Sequence, residues 1–518
     1  MPTPPPRPVS TAGIALSALA KSVAATPAGG VEVGANTANP TVTGATLRAD
    51  EVRGGDLFGA LPGARAHGAQ FAAAAIAAGA VAVLTDAAGA RLIPPDVAHR
   101  APVLVVEDPR QALGPVSALI YGNPSARMSV FGITGTSGKT TTCFLLEAAL
   151  RAQGLATGLI GTVMTRIGEQ DSGGQEQVLP SAFTTPEAPD LQALLAIMLE
   201  RGVQAVSMEV SSHALALGRV GGTRYAVGAF TNLSQDHLDF HPDMEDYFRA
   251  KAKLFDGRAA AAVVVVDDEY GRRLSAEHRD AWTVSTSGRL QASWRLTGLT
   301  ADPTGRQHLR IAGPENLELA TDLAIPGAFN AANALTAIAC VHAAGYDPVV
   351  AAKAISTVQV PGRMQRVDAG QDFLAVVDYA HKPAALAAVL DAVRGSVPGR
   401  IVAVIGAGGD RDTGKRALMG AAAAARADLV IVTDDNPRSE DPQQIRLAVL
   451  AGATSTDGSA KIEEIGDRGA AIVAAVAAAG PGDAVLIAGK GHETGQEIDG
   501  VKHPFSDVEE LRKALAGR

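Results

Sequence analysis

Three stretches of this chain carry side chains whose types and spacing suit phosphate and metal chemistry. The first is GITGTSGKTTT, Gly132 to Thr142, which follows the apolar run SVF and precedes CFLLEAAL, a segment of helical length and pattern. Glycines in such a loop let backbone N–H groups turn toward phosphate, Lys139 supplies a point charge, and Thr140 can place a hydroxyl on magnesium. The spacing departs from the usual loop, since Ile133 rather than glycine stands five residues before Gly138. Strand, loop and helix together predict an ATP-binding loop built from Gly135, Thr136, Ser137, Gly138, Lys139, Thr140 and Thr141.

The second stretch, MEVSSHALALGRV from Met208, puts Glu209 at the end of an expected strand, where its carboxylate would complete a magnesium shell with Thr140. Magnesium prefers oxygen ligands and retains waters, so one carboxylate and one hydroxyl suffice beside ATP phosphates. The third stretch, TNLSQDHLDFH, supplies Asp236, His237, Asp239 and His241, and a helix-like segment with Lys251 and Lys253 follows. Taken singly, a histidine of this kind usually packs or lies at the surface, and helix lysines usually sit in solvent.

These side chains need parallel strands behind them. Short apolar runs near Met128 (SVFGITG), Ala205 to Val210 (AVSMEV), Val227 to Leu233 (VGAFTNL) and Ala261 to Asp268 (AAVVVVDD) are separated by stretches of helical length, as parallel crossovers require. GAFNAANALTAIACVHAAG, Gly327 to Gly345, reads as a helix closing this part. In the last third, FLAVVDYAHKP, RIVAVIGAGGDRD, DLVIVTDDNPR and AVLIAGKGHE each run from an apolar strand into polar, Gly-rich sequence. Ligands of open parallel sheets bind beyond the strands' carboxyl ends, so four such endings predict one ligand face.

The fold class expected is α/β in three domains. Residues 1–30, rich in Pro, Ala, Ser and Thr, are expected to form a flexible leader, 31–124 a small α/β domain, 125–360 the P-loop domain with a mostly parallel sheet, and 361–518 a Rossmann-like domain. A chain of 518 residues that is 47% hydrophobic and 19% charged can bury several cores. The net charge of −9, without a Lys/Arg-rich block, argues against nucleic-acid or anionic-membrane partners and for small molecules. Cys143 and Cys340 lie in apolar stretches without ligand spacing, which predicts two buried thiols in a reducing cytosol. MPTPPPRPVS lacks the apolar run of a signal peptide, and no later segment has the uninterrupted apolar length of a bilayer span. A cytoplasmic monomer is expected.

The order of GTSGKTT, EVSSH, TNLSQDHLD and YFRAK, continuing through GAFNAANALTA and GRM (Gly362 to Met364), closely resembles the Mur ligases over nearly the whole chain from about Leu47. The resemblance implies that Lys251 is carbamylated (N6-carboxylysine) and that His237 binds a second Mg2+. It makes Lys139, Glu209, His237 and Lys251 the catalytic set, with Thr140, Glu209, His237 and the Lys251 carbamate as metal ligands. An ammonium at position 251 would repel a cation, whereas a carbamate reverses the sign and supplies oxygens; Lys253 is read as solvated. It also implies ATP contacts at Asn330, Arg363 and Asp378, although Asn330 could equally cap a helix and Arg363 be a surface charge.

Members of that family differ in the acceptor peptide and in the amino acid added. In FTTPEAPDLQ, Thr184 and Thr185 match the segment that holds the muramoyl dipeptide in the members adding the third residue, as do Ser211 and Arg219. Thr185 is equally readable as the N-cap of the helix that follows. TDDNPR alone is a turn signal. Within the family, Asp435, Asn436, Pro437 and Arg438, with Arg411 in GGDRD and Gly489 and Glu493 in AGKGHE, resemble the version selecting meso-diaminopimelate. The far end of that molecule carries a carboxylate that Arg438 can grip as a fork and an ammonium for Glu493, whereas lysine lacks the carboxylate.

TLRADEVRGGDLF and GARAHG resemble the family's uridine-nucleotide domain; Leu47 matches, Ala49 replaces the serine of many relatives, and Ala64, Arg65 and Ala66 occupy a variable loop. The implied reaction joins UDP-N-acetylmuramoyl-L-alanyl-D-glutamate to meso-diaminopimelate through an acyl phosphate, with ATP and Mg2+. A lysine-adding ligase, a non-catalytic nucleotide-responsive protein of the same fold, and a P-loop ATPase switch remain as alternatives.

Overall fold

The computed structural model describes residues 6–27, 39–168, 177–179, 181, 183–302, 305–456 and 458–518. They form two compact units, Met1–Val284 with Thr336–Pro348, and Ser285–Leu335 with Val349–Arg518.

Among the described residues the first unit holds two main sheets and a short antiparallel pair, Ile14–Ala15 with Thr41–Val42. The amino-terminal sheet has the order Thr26–Pro27, Val103–Val105, Ala82–Thr85, Asp56–Gly59, Gly44–Thr46, parallel except for its first pair. Its core takes in Leu57, Leu84, Leu104, Leu113 and Val116, and extends to Ala193 and Ala196 of the helix Ala188–Glu200 that serves the second sheet. The expected flexible leader is corrected by the same core: Leu16 and Leu19 of the helix Leu16–Ser22 are fully buried in it. Apolar residues three apart put one helical face inward, and Arg7 clamps Asp56 through two hydrogen bonds of 2.7 and 3.0 Å. Residues 1–5 and 28–30 of that expected leader lie outside the described residues.

The second sheet runs Gln177–Leu179, Thr165–Ile167, Thr157–Ile160, Ala205–Glu209, Ser129–Thr134, Tyr225–Phe230, Ala259–Val265, Trp282–Ser285. From Thr157–Ile160 onward the pairs are parallel. The strand ending in the phosphate loop is therefore flanked on both sides, and register aligns Glu209 with Ile133 and Phe230 with Thr134. Three polar strand ends come to one edge in this way. Cys143 and Cys340 are free and buried, as expected.

In the second unit, the polar span after Ser285 becomes antiparallel strands, Trp294–Ala301, Gln307–Ala312 and Glu318–Leu323, anchored by a fully buried Trp294. The helix expected from Gly327 spans Phe329–Ala343, with its residues up to Leu335 counted in this unit and those from Thr336 in the first. The carboxy-terminal sheet has the order Gln365–Arg366, Leu374–Asp378, Ala484–Ala488, Ile401–Ile405, Leu429–Val432, Lys461–Glu464, parallel after its first pair. The four strands singled out from the sequence are adjacent, so their polar endings do share one edge. Among the described residues no helix is long and apolar enough to cross a membrane.

Candidate functional site

The strand Ser129–Thr134 is buried from Val130 onward and delivers the chain into the loop. Gly135 has φ +148, and a Cβ there would lie 1.9 Å from Thr231 Oγ1, so only glycine fits the turn. Gly138 begins the helix Lys139–Arg151 with no side-chain cap, which leaves its first N–H groups for an anion. The neighbouring strand end pins the loop. Asn232 accepts from Ser137 N at 2.9 Å and donates to Ser137 O at 3.1 Å, while Thr231 Oγ1 donates to Ser137 O at 2.7 Å. Lys139 Nζ donates to the carbonyls of Gly135 and Thr136 at 2.8 and 2.9 Å.

Thr140 Oγ1 donates to Glu209 Oε1 at 3.0 Å, and Glu209 is 1% exposed. Thr162 adds two bonds to the same carboxylate, from N to Oε1 at 2.8 Å and from Oγ1 to Oε2 at 3.2 Å. Thr162 Oγ1 also lies within hydrogen-bond reach of Thr184 Oγ1, at 3.0 Å. Thr185 Oγ1 donates to the carbonyl of Glu209 at 2.9 Å and accepts from Ser211 N at 3.1 Å. The helix after this segment is capped at Glu187, so Thr185 is not its N-cap. Arg219 Nη1 donates to Thr185 O at 3.4 Å, and its Nε lies 2.9 Å from Glu187 Oε1. Phosphate loop, carboxylate and TTP segment thus form one continuous chain of contacts.

Lys251, on the helix Met244–Ala252, is 1% exposed, and its Nζ donates to Gly135 O at 2.8 Å and lies 4.6 Å from the Tyr247 ring centroid. Burial, reinforced by Lys139, pushes this amine well below the ordinary lysine range, against the opposing pull of Asp236. Lys253 is exposed, as expected. His237 has φ +54, with Nε2 3.5 Å from Asp236 Oδ2 and its ring edge-on to His213 at 4.8 Å. His241 is buried between Asp246 (Nδ1, 2.6 Å) and Ser212 (Nε2, 3.0 Å), a packed histidine.

Among the described residues no group of three His, Cys, Asp or Glu side chains is arranged to hold a metal ion. The donors present at the loop, a hydroxyl and a buried carboxylate, are hard oxygens that fit magnesium completed by phosphate and water. Leu47 packs partly buried against the amino-terminal core and Ala49 opens the turn Ala49–Glu51.

The second unit carries the other residues singled out. Asn330 is buried in the first turn of its helix, donating to Pro326 O at 2.7 Å and accepting from Asn333 at 2.8 Å. Asp378 accepts from Met364 N at 2.7 Å and Ala380 N at 2.8 Å, tying GRM to DYAHKP, and Arg363 lies 4.3 Å over the Tyr379 ring rather than loose at the surface. Burial raises the Asp378 carboxyl, opposed by Arg363 and the two backbone donors.

At the adjacent strand ends, Lys490 Nζ meets Asp435 Oδ1 at 3.2 Å, Asn436 Oδ1 at 2.8 Å and Glu493 Oε2 at 3.3 Å. Asn436 Nδ2 donates to Glu493 Oε2 at 2.8 Å. Arg438, at φ +54, donates from Nη1 to Gly409 O at 2.6 Å and has Nε 3.3 Å from Glu497 Oε2. Gly489 N donates to Asp378 O at 3.1 Å, which joins this cluster to the DYAHKP strand. Pro437 is buried and Arg411 is exposed. Thr162, Glu187, Asn232, Tyr247, Lys490 and Glu497 take part without having stood out in the sequence; all but Thr162 and Glu497 lie inside motifs already quoted, so position within those motifs was the available signal. A cavity of about 830 Å3 on the strands 294–323, lined by Thr297, His308, Asp322 and Lys353 among others, shares none of the residues singled out.

Comparison with known proteins matches three successive family domains: "Mur ligase family, catalytic domain" over 41–121, "Mur ligase middle domain" over 133–341, and "Mur ligase, glutamate ligase domain" over 362–491. The chain is 53% identical over 467 residues to a UDP-N-acetylmuramoyl-L-alanyl-D-glutamate–2,6-diaminopimelate ligase of Corynebacterium glutamicum, covering 89% of each. It is 49% identical to the protein of the same name in Streptomyces coelicolor, covering 99% of this chain and 98% of that one. A solved structure of a ligase with this name superposes with a TM-score of 0.69 at 31% identity, over 98% of this chain and 99% of its own.

Proposed function

Since this chain belongs to the Mur ligase family, we propose that it is the ATP-dependent ligase that adds meso-diaminopimelate to UDP-N-acetylmuramoyl-L-alanyl-D-glutamate in the cytoplasm. The observation that carries the reading is the run of contacts from Thr140 through Glu209 to Thr185 and Ser211. It connects a phosphate-binding loop to the segment assigned to the acceptor peptide, which is what transfer of phosphate to that peptide requires.

In the proposed reaction the γ-carboxylate of D-glutamate attacks the terminal phosphorus of ATP and ADP leaves, giving an acyl phosphate. The amine of diaminopimelate then attacks the carbonyl carbon, and phosphate departs as the amide forms. Gly135 to Gly138 and the open helix start at Lys139 receive the phosphates, and the Lys139 ammonium exchanges its two carbonyl partners for phosphate oxygens. Thr140, Glu209, His237 and a carbamate on Lys251 would hold Mg2+, which when bound neutralises phosphate charge. Thr184, Thr185, Ser211 and Arg219 orient the acceptor. Asn330, Arg363 and Asp378 receive the rest of the nucleotide, and Leu47 and Ala49 lie on the uridine side.

The amine-selecting pocket comprises Arg411, Asp435, Asn436, Pro437, Arg438, Gly489 and Glu493. Arg438 brings a planar fork that would turn from Gly409 O and Glu497 to the distal carboxylate that lysine lacks, and sites built on such polar contacts reject the deficient analogue by up to about 10⁴-fold. The test is phosphate release with ATP, magnesium and the muramoyl dipeptide, comparing meso-diaminopimelate with L-lysine. Turnover with diaminopimelate alone, and loss of that preference in Arg438→Ala, is the expected result. Equal use of lysine refutes the pocket assignment, and release that ignores both amines refutes the ligase reading.

A further inference from the structure

We infer that Lys490 is a positioning residue that sets the amine-selecting pocket to receive a paired carboxylate and ammonium in preference to a lone ammonium; the inference rests on the diaminopimelate reading of that pocket. The Lys490 side chain is fully buried, and three acceptors surround its Nζ, on Asp435, Asn436 and Glu493. An ammonium has three N–H donors and no acceptor, so its donor count matches the three oxygens.

Two consequences follow for the groups that meet substrate. Asn436 Oδ1 accepts from both Lys490 Nζ at 2.8 Å and Glu497 N at 3.0 Å. Both partners are donors, which fixes the amide with its oxygen toward them and its Nδ2 toward Glu493. On Glu493, Lys490 and Asn436 both use Oε2, and Oε1 makes no hydrogen bond among the described residues. One oxygen is thereby held and the other left for a substrate ammonium.

The second consequence is charge. Asp435 and Glu493 place two carboxylates in the pocket, and Lys490 is the cation in contact with both. Arg438 is already paired with Glu497. Without the Lys490 charge the pocket becomes one unit more negative, which favours the lysine ammonium and repels the distal carboxylate of diaminopimelate. Lys490 is not alone in tying these strand ends together. Arg468, buried against Asp507 at 2.7 and 2.8 Å, donates to Asp434 O at 3.4 Å and Ala488 O at 3.0 Å and holds the same two strand ends.

The test compares full-length wild type with Lys490→Met in steady-state assays varying meso-diaminopimelate, L-lysine and ATP separately. Loss of a charged hydrogen-bond donor predicts a rise of about tenfold or more in KM for diaminopimelate, with kcat and the KM for ATP within about threefold of wild type. The kcat/KM preference for diaminopimelate over lysine is expected to fall by at least about tenfold. Lys490→Gln, which keeps N–H donors without charge, is the second variant if the first does not fold, with the same fall expected. Lys490→Arg should keep more of the preference than either neutral variant. An unchanged preference, or a uniform loss of kcat with the preference intact, overturns the inference. Wild type that uses lysine as well as diaminopimelate refutes instead the pocket reading on which it rests.

Discussion

Lys139 and Lys251 converge on one oxygen: each Nζ lies 2.8 Å from the carbonyl of Gly135. Two ammonium groups at one carbonyl repel, and Lys251 loses its proton more readily than an ordinary lysine, first through burial and then through Lys139. A neutral amine is the form that adds CO2. Lys251→Ala is expected to lower diaminopimelate-dependent phosphate release by about 10²-fold or more, the scale of losing one electrostatic contact to a transferring phosphate. Added short-chain carboxylic acid should restore part of it by supplying the missing oxygens, whereas Lys139→Ala should not respond. Equal behaviour of the two variants would argue against a carbamate at Lys251.

Glu187 faces Arg219 at 2.9 Å and Arg110 at 3.8 Å, and Arg219 in turn reaches Thr185 O. Glu187→Gln removes the charge that aims Arg219 without removing its bulk. The KM for the muramoyl dipeptide should rise about three- to tenfold, as for one weakened charged contact, with kcat changed less. Calorimetric titration of the dipeptide into the variant checks the binding part, and an unaltered affinity would refute the positioning role.

Burial drives His381 and His492 down to about 4 from the ordinary 6.5, with Arg363 contributing to both. In the unfolded chain each takes up a proton near 6.5, so between roughly pH 6.5 and 4 the unfolded state binds more protons and stability falls as the pH is lowered. The contribution is complete above 6.5, lost progressively toward 4, and constant below. For His381 the shift corresponds to about 3 kcal/mol, an upper figure for a side chain that is not wholly enclosed. Thermal unfolding from pH 7.5 to 4 should show a Tm fall that His381→Asn makes shallower, and parallel curves would contradict the assignment.

The helices Lys415–Ala424 and Pro442–Thr454 meet backbone to backbone. A Cβ on Gly452 would lie 1.8 Å from Ala417 O, and one on Gly420 1.9 Å from Val449 O. Gly452→Ala is therefore expected to destabilise by about 1–3 kcal/mol, the usual cost of overpacking a tight contact. Denaturant unfolding measures this, and a neutral result would mean that the helices can separate cheaply.

How much was legible before folding differs from one residue to the next. The phosphate loop could be read because its chemistry is local: backbone amides, one lysine and one hydroxyl lie within a single strand–loop–helix, and period and glycine spacing betray that element. The four strand endings of the last third were equally local, and their adjacency followed from the general habit of parallel sheets. Leu16 and Leu19 were misjudged because composition marked the segment as a leader, and the partner that buries them comes from strands far along the chain.

The chemical groups and their order, down to Glu209, Lys251 and the DNPR turn, are written in the chain itself. Tertiary structure alone decided which of them touch. Glu209 meets Thr140 and Thr162 because three strands align in register, and Lys490 meets Asp435 across 55 residues of chain. Such contacts are made by sheet order and burial, and a buried charge must find its partners wherever the fold supplies them. Spacing along the chain holds no record of that choice.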